Sequence, residues 1–185
     1  ERDTAAIPDG ATRLLMNPGL TFGTGSHAST QLCLEGVEAH TAPGSAVLDL
    51  GCGSGILSIA ALRLGAESAF ACDIDEKCVD VAYENAALNG IGKDRYTVRW
   101  GNVLTDAALR QEMGAGYDIV VANIVADVIM GLSPHVRPFL KPGGLFLCSG
   151  IIDDRAAEVL EKLKADGWDV FEQRSSEGWF SYLCK

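Results

Sequence analysis

The sequence predicts an α/β fold: a mostly parallel sheet of seven strands, the last strand antiparallel, with helices on both faces. Short apolar runs that suit buried strands alternate along the chain with segments whose apolar residues recur at helical spacing. The first of these strands leads through a glycine-rich turn into an apolar helix, which is where an open α/β sheet binds its ligand. At 185 residues, 48% of them hydrophobic, the chain suits one domain with a sizeable core.

The N-terminal part of the chain shows the weakest periodicity of apolar residues. Residues 1–12 are polar, include Pro8 and Gly10, and are predicted to be a linker; the folded domain is predicted over residues 13–185. Residues 13–16 predict a short strand. A helix is predicted from His27 to about Ala39, with Ser26 as its N-cap because a serine hydroxyl can accept from the first helical N–H groups.

The remaining elements follow from apolar periodicity and from turn residues. The short run between the last two strands predicts an antiparallel hairpin. Strands are predicted at 46–48, 68–72, 96–100, 118–122, 145–149, 168–174 and 179–184, with helices at 56–62, 76–89, 105–116, 125–140 and 156–163.

The glycine turn carries the main functional signal. Residues 49–55 read Asp-Leu-Gly-Cys-Gly-Ser-Gly, and because Gly51 and Gly53 lack a Cβ, their backbone can approach a ligand closely. A dinucleotide site requires a third glycine at the position that Ile56 fills here. The run resembles the first motif of class I methyltransferases, which bind S-adenosylmethionine. Asp73 follows the next predicted strand, about twenty residues past the turn, where an acid can accept hydrogen bonds from both ribose hydroxyls. A plain tight turn is the alternative.

Composition narrows the classes of function. The net charge of −10, with no cluster of Lys or Arg, argues against nucleic-acid binding and favours an acidic enzyme acting on a basic protein, or charge that serves only solubility. The chain has neither a run of 18 apolar residues nor a signal peptide, so we expect no membrane span and no export. Six cysteines without a Cys-x-x-Cys pair predict reduced thiols in the cytoplasm, and three scattered histidines predict no metal site.

A longer stretch resembles one family. Residues 17–30 read Asn-Pro-Gly-Leu-Thr-Phe-Gly-Thr-Gly-Ser-His-Ala-Ser-Thr, which resembles the signature of the PrmA family, the methyltransferases of ribosomal large-subunit protein eleven. The usual form there is Asp-Pro-Gly-hydrophobic-Ala-Phe-Gly-Thr-Gly-Thr-His-x-Thr-Thr. The likeness continues through residues 49–55, 73–75 and 122–126 and covers essentially the whole chain. It implies the Rossmann-like fold of class I methyltransferases for residues 13–185, and that residues 1–12 lead from a substrate-recognition domain absent here. Mild departures occur at Asn17, Thr21, Ser26 and Ser29.

The resemblance implies a set of residues that bind the cofactor. Thr30 would reach its methionine end, the backbone of Gly51 and Gly53 would pass it, and Asp73 would hold the ribose. Asp49 would lie beneath, bonding turn N–H groups or the cofactor amine.

Two further positions carry open alternatives. Asn102 would meet the adenine edge or serve only as a turn former. Phe22 would offer a face to the adenine or the sulfonium, or act as a core or lid residue.

The resemblance also implies the chemistry. Asn123, at the end of the fourth strand, would lie near the reacting methyl and accept hydrogens from the substrate amine; the alternative is an asparagine that only closes the strand. The implied reaction transfers methyl groups from S-adenosylmethionine to lysine or N-terminal amines of a ribosomal large-subunit protein, leaving S-adenosylhomocysteine. The alternatives are a class I methyltransferase for RNA or a small molecule, and a non-catalytic S-adenosylmethionine-binding module. A nicotinamide oxidoreductase is disfavoured by Ile56.

Overall fold

The computed structural model describes residues 9–17 and 25–185. The strands are β1 (Ala46–Leu50), β2 (Ser68–Asp73), β3 (Tyr96–Trp100), β4 (Tyr117–Asn123), β5 (Leu140–Ile152), β6 (Val170–Ser176) and β7 (Trp179–Cys184). They form one sheet in the order β3-β2-β1-β4-β5-β7-β6. β7 pairs antiparallel with both β5 and β6, and the other pairings are parallel. The predicted sheet, with its antiparallel last strand, is therefore confirmed.

Helices cover both faces of this sheet. They are α1 (Ala28–His40), α2 (Ile56–Arg63), α3 (Lys77–Leu88), α4 (Ala107–Met113), α5 (Ala126–Val136) and α6 (Asp153–Ala165), with a 3-10 turn at Arg137–Phe139. Alternate residues of a central strand enter opposite cores, as the pleat requires. In β4, Val120 packs in the core with α4, α5 and α6, whereas Val121 packs in the core with α1, α2 and α3.

The predicted strand at residues 13–16 is wrong. The segment has no strand partners, and a side chain outside the sheet forms hydrogen bonds with its backbone. The Leu15 N–H donates to Oδ1 of Asn89 (2.9 Å), and the Leu15 carbonyl accepts from Nδ2 of the same amide (2.7 Å). The N–H of Asn17 donates to Oδ1 of Asn85 (2.8 Å), so the segment is tied to α3 and its C-terminal end.

Two element boundaries also differ from the prediction. The N-cap of α1 is His27 and not Ser26, because Nδ1 of His27 accepts from the N–H of Ser29 (3.3 Å). The strand predicted at residues 145–149 begins earlier, because residues 140–144 also belong to β5, whose register against β4 shifts between Tyr117 and Ile119.

All six cysteines are buried and unpaired. Within the described part of the chain, no helix is long and apolar enough to cross a membrane.

Candidate functional site

A cleft of about 490 Å³ opens where β1, β2 and β4 end. Four predicted site residues line it: Gly51, Asp73, Asn102 and Asn123. The rest of the wall is mainly apolar, with contributions from Leu50, Ile74, Val103, Leu104, Ile124, Val125 and Val128. Its size and its position at the carboxyl ends of parallel strands suit a small organic ligand.

The glycine turn is shaped by contacts that only glycine permits. Gly51 has φ +79°, and a Cβ there would lie 2.5 Å from Cγ2 of Ile124. Gly55 also has φ +79°, and its Cβ would lie 2.7 Å from the hydroxyl oxygen of Tyr96 and 3.0 Å from Cβ of Ala82. The last glycine therefore allows close packing against β3 and α3, while Gly51 forms bare backbone wall in the cleft.

Asp73 holds this turn and borders the cleft. Its Oδ2 accepts from the N–H of Gly53 and its Oδ1 from the N–H of Asp75, both at 2.9 Å. A carboxylate offers about four acceptor sites, so Asp73 retains capacity for a further donor beside these N–H groups. Gly53 does not line the cleft, and its N–H is directed to Asp73. Its contact with a cofactor, like the ribose contact of Asp73, stays a prediction.

Asp49 lies beneath the turn, fully buried and outside the cleft wall. Its Oδ2 accepts from the N–H (3.2 Å) and the hydroxyl (2.7 Å) of Ser58, so it satisfies an N–H in the first turn of α2. Burial raises the pKa of Asp49 to about 6; the hydrogen bonds from Ser58 lower it and the charge of Asp73 raises it. Oδ1 has no partner among the described residues. The contact with a cofactor amine stays a prediction.

Asn123 ends β4 with its side-chain amide anchored at one end only. Nδ2 donates to Oγ1 of Thr30 in the first turn of α1 (3.1 Å), whereas Oδ1 is shielded from solvent and lacks a partner within residues 9–17 and 25–185. Thr30 is buried and does not line the cleft, so its contact with the methionine end also stays a prediction. Beyond Asn123, the chain passes against Gly150, where a Cβ would lie 2.5 Å from the carbonyl oxygen of Ile124.

Asn102 forms a turn at the adenine side of the predicted site. Its Oδ1 accepts from the N–H of Leu104 (3.0 Å), and its carbonyl accepts from Thr105 (3.0 Å) and Asp106 (2.8 Å). It lines the cleft as well, so the turn role is observed and the adenine contact remains a prediction. Phe22 lies outside the described residues.

Two rings of the cleft wall were not predicted. His27 and Trp179 line it with ring centroids 4.6 Å apart and planes at 70°. His27 belongs to the glycine-rich stretch of the sequence, and an imidazole beside several glycines is the signal that could have marked it as a site residue. Trp179 belongs to β7, far along the chain, and no local motif marks it. Among the described residues, no group of three His, Cys, Asp or Glu side chains is placed to hold a metal ion.

A sequence model of the family described as ribosomal protein L11 methyltransferase (PrmA) matches residues 3–185. Proteins named ribosomal protein L11 methyltransferase from Lachnoclostridium phytofermentans and Desulforamulus reducens are 41% and 43% identical to the chain. The alignments cover 92% and 95% of the chain, and 55% of each relative. The chain thus spans about half the length of these curated relatives.

Among solved structures, one of the same family and one more distant methyltransferase are similar to this chain. The crystal structure of a ribosomal protein L11 methylase from Lactobacillus delbrueckii subsp. bulgaricus superposes with a TM-score of 0.81 at 32% identity, over 92% of this chain and 83% of that one. A putative methyltransferase complexed with SAH, at 12% identity and a TM-score of 0.71, shares the fold over 85% of this chain and 49% of its own.

Proposed function

This chain belongs to the ribosomal protein L11 methyltransferase (PrmA) family, and from that premise we propose what its cleft does. The chain binds S-adenosylmethionine in this cleft and transfers its methyl group to amines of ribosomal protein L11. These amines belong to lysine side chains or to the N-terminus of that protein. The observation that carries the proposal is a cleft with a bare glycine wall, an Asp73 carboxylate and Asn123, whose buried Oδ1 has no partner in the part of the chain that the structure describes.

The residues present fit this cofactor. The bare backbone at Gly51 allows close approach, and Asp73 retains acceptor sites that suit two ribose hydroxyls. Ile74 and Leu104 give the neighbouring wall an apolar surface that suits adenine. When bound, S-adenosylmethionine supplies an electrophilic methyl group on a sulfonium and leaves as S-adenosylhomocysteine.

The protein's part in the chemistry is to present a neutral amine. A lysine amine with a pKa of about 10.4 is protonated at neutral pH, so it must release a proton to water before its nitrogen attacks the methyl carbon. A buried carbonyl oxygen without a donor costs free energy, so Oδ1 of Asn123 favours a ligand that brings N–H groups. By accepting one amine hydrogen, Oδ1 directs the nitrogen lone pair towards the methyl group. The apolar wall of the cleft excludes water from the amine and the methyl group.

Domain organisation, net charge and the state of the cysteines bear on where the reaction takes place and on which substrate. We propose that residues 13–185 form the catalytic domain and that residues 1–12 are a linker. A net charge of −10 suits a basic protein partner and gives no support to direct nucleic-acid binding. The buried unpaired thiols support a cytoplasmic location.

A methyl-transfer assay tests the function. The chain is incubated with S-adenosylmethionine labelled in the methyl group and with ribosomal proteins and RNA prepared from cells that lack the enzyme. We expect label in the large-subunit protein, on amines. Label only in RNA or in small molecules would overturn the substrate. Absence of transfer at every concentration of ribosomal protein, by a chain that binds the cofactor, would reduce it to a binding module.

A further inference from the structure

We propose that Asn85, a residue of α3 outside the cleft wall, couples the docking of residues 13–17 to the cofactor site. Docking of this N-terminal segment and binding of S-adenosylmethionine therefore strengthen each other, so the segment regulates the affinity of the cleft. The inference rests on the proposed function, since it concerns the affinity for that cofactor.

Asn85 forms a junction between the N-terminal segment and the glycine turn. Its side chain is fully buried, so both ends of its amide require partners. Oδ1 accepts from the N–H of Asn17 at 2.8 Å, and Nδ2 donates to the carbonyl of Ser54 at 2.9 Å. Ser54 lies inside the turn, between Gly53 and Gly55. One planar amide group therefore contacts the segment on one side and the turn on the other.

Asn89 extends this connection by one helical turn. Its Oδ1 accepts from the N–H of Leu15 (2.9 Å), and its Nδ2 donates to the carbonyls of Leu15 (2.7 Å) and Asn85 (2.8 Å). Residues four apart on a helix lie on the same face, so both amides meet the segment from α3. The two asparagines therefore fix the position of Leu15 and Asn17 relative to the glycine turn.

The glycine turn transmits a displacement of Ser54 to the cleft. Ser54 follows Gly53, whose N–H donates to Asp73 at 2.9 Å. It precedes Gly55, which packs so closely against α3 that an added Cβ would lie 3.0 Å from Cβ of Ala82. Groups packed at this density transmit strain to one another, so a shift of the Ser54 carbonyl also alters the position of the Asp73 carboxylate, the proposed ribose acceptor.

The N-terminal segment is the part that docks and detaches. It lies outside the sheet, Leu14 and Met16 are only partly buried against the core, and the hydrogen bonds of Leu15 are exposed to solvent. A segment with few buried apolar contacts opens locally more easily than the sheet does. When it detaches, Oδ1 of Asn85 loses its donor inside the protein, so the amide reorients and its bond to Ser54 weakens.

A substitution distant from the cleft tests the coupling. Asn89→Ala releases Leu15 and leaves the amide of Asn85 in place, whereas Glu84→Ala is the matched control because it truncates an exposed side chain of the same helix. We expect Asn89→Ala to raise the calorimetric Kd for S-adenosylmethionine about 3- to 10-fold, the range for loss of one neutral hydrogen bond. Glu84→Ala should match the wild type, and melting temperatures establish that each variant folds.

A double substitution tests whether the coupling passes through Asn85. Asn85→Ala should raise the Kd at least as much as Asn89→Ala does. Adding Asn89→Ala to Asn85→Ala should then have no further effect, because the connection to the turn is already lost. Additive effects of the two substitutions would refute the role of Asn85 as the junction.

Hydrogen exchange, followed residue by residue by NMR, tests the reverse direction without any activity. Because coupling is reciprocal, saturating S-adenosylmethionine should slow exchange of the Leu15 N–H by a similar factor, about 3- to 10-fold. In Asn85→Ala, exchange at Leu15 should no longer depend on the cofactor. Asparagines that only stabilise the fold would lower the melting temperature when replaced and leave both the Kd and this dependence unchanged.

Failure of the coupling and failure of the proposed function give different results. An unchanged Kd in Asn89→Ala, or exchange at Leu15 that does not respond to the cofactor, would refute the coupling in a wild-type chain that binds S-adenosylmethionine. A wild-type chain that binds no S-adenosylmethionine would refute the proposed function itself, and the coupling with it.

Discussion

Gly51→Ala is the substitution whose effect the structure defines best. Gly51 has φ +79°, and an added Cβ would lie 2.5 Å from Cγ2 of Ile124. Left-handed backbone costs a non-glycine residue about 1–2 kcal/mol. Carbon atoms in contact lie about 3.5–4.0 Å apart, so Ile124 must also move by roughly 1 Å, and overpacking of this kind costs about 1–3 kcal/mol. We therefore expect a loss of about 2–5 kcal/mol in the free energy of unfolding.

Gly143→Ala separates these two contributions. Gly143 has φ +80°, and nothing lies within 4 Å of its Cβ position, so it carries the backbone cost alone. In urea denaturation without ligand, Gly51→Ala should be less stable than Gly143→Ala by about 1–3 kcal/mol. Removing Cγ2 by Ile124→Ala should return most of that difference when measured against Ile124→Ala alone. Equal losses in Gly51→Ala and Gly143→Ala would refute the close contact in the cleft wall.

Three other substitutions test the remaining site residues. Asp73→Ala should weaken S-adenosylmethionine binding by about 1.5–3 kcal/mol in calorimetry, and an unchanged affinity would exclude the ribose contact. The pKa of Asp49, raised from 3.8 to about 6, means that the folded state binds the proton more tightly, so stability should fall as pH rises from about 4 to 6. Asp49→Asn should abolish that fall, which is about 3 kcal/mol for a shift of two pH units, and denaturation curves that keep the same pH dependence would show that Asp49 does not titrate there. Asn123→Ala should lower turnover more than cofactor affinity, and full turnover would identify Asn123 as a strand-end residue.

The helices and strands could be predicted well from the sequence. Both faces of the sheet are buried, so strands are continuous apolar runs and helices carry apolar residues at helical spacing. The predicted strand at residues 96–100 matches β3. The predicted antiparallel hairpin of the last two strands is also confirmed, with residues 177 and 178 as its connection. The cleft could be predicted in outline because Gly51, Asp73 and Asn123 all end or follow parallel strands, and parallel strands place those ends together.

The errors arise where a side chain distant in sequence, or one of two adjacent candidates, decides the structure. Residues 13–16 look like a strand, but Asn89 supplies the hydrogen bonds that a neighbouring strand would have supplied. Ser26 and His27 can both cap α1, and composition does not decide between them. Trp179 reaches the cleft only because β7 lies beside β5 in the sheet, which no local pattern reveals.

Calorimetric titration of the chain with S-adenosylmethionine, paired with thermal melting, tests most directly that the cleft is a cofactor site. We predict one site, no heat with NAD, and a stabilisation of about 2.7 kcal/mol at a hundredfold excess over Kd. Gly51→Ala should lose that affinity while Gly143→Ala retains it. Absence of binding and of a melting shift, or equal binding by both variants, would contradict the assignment of the cleft.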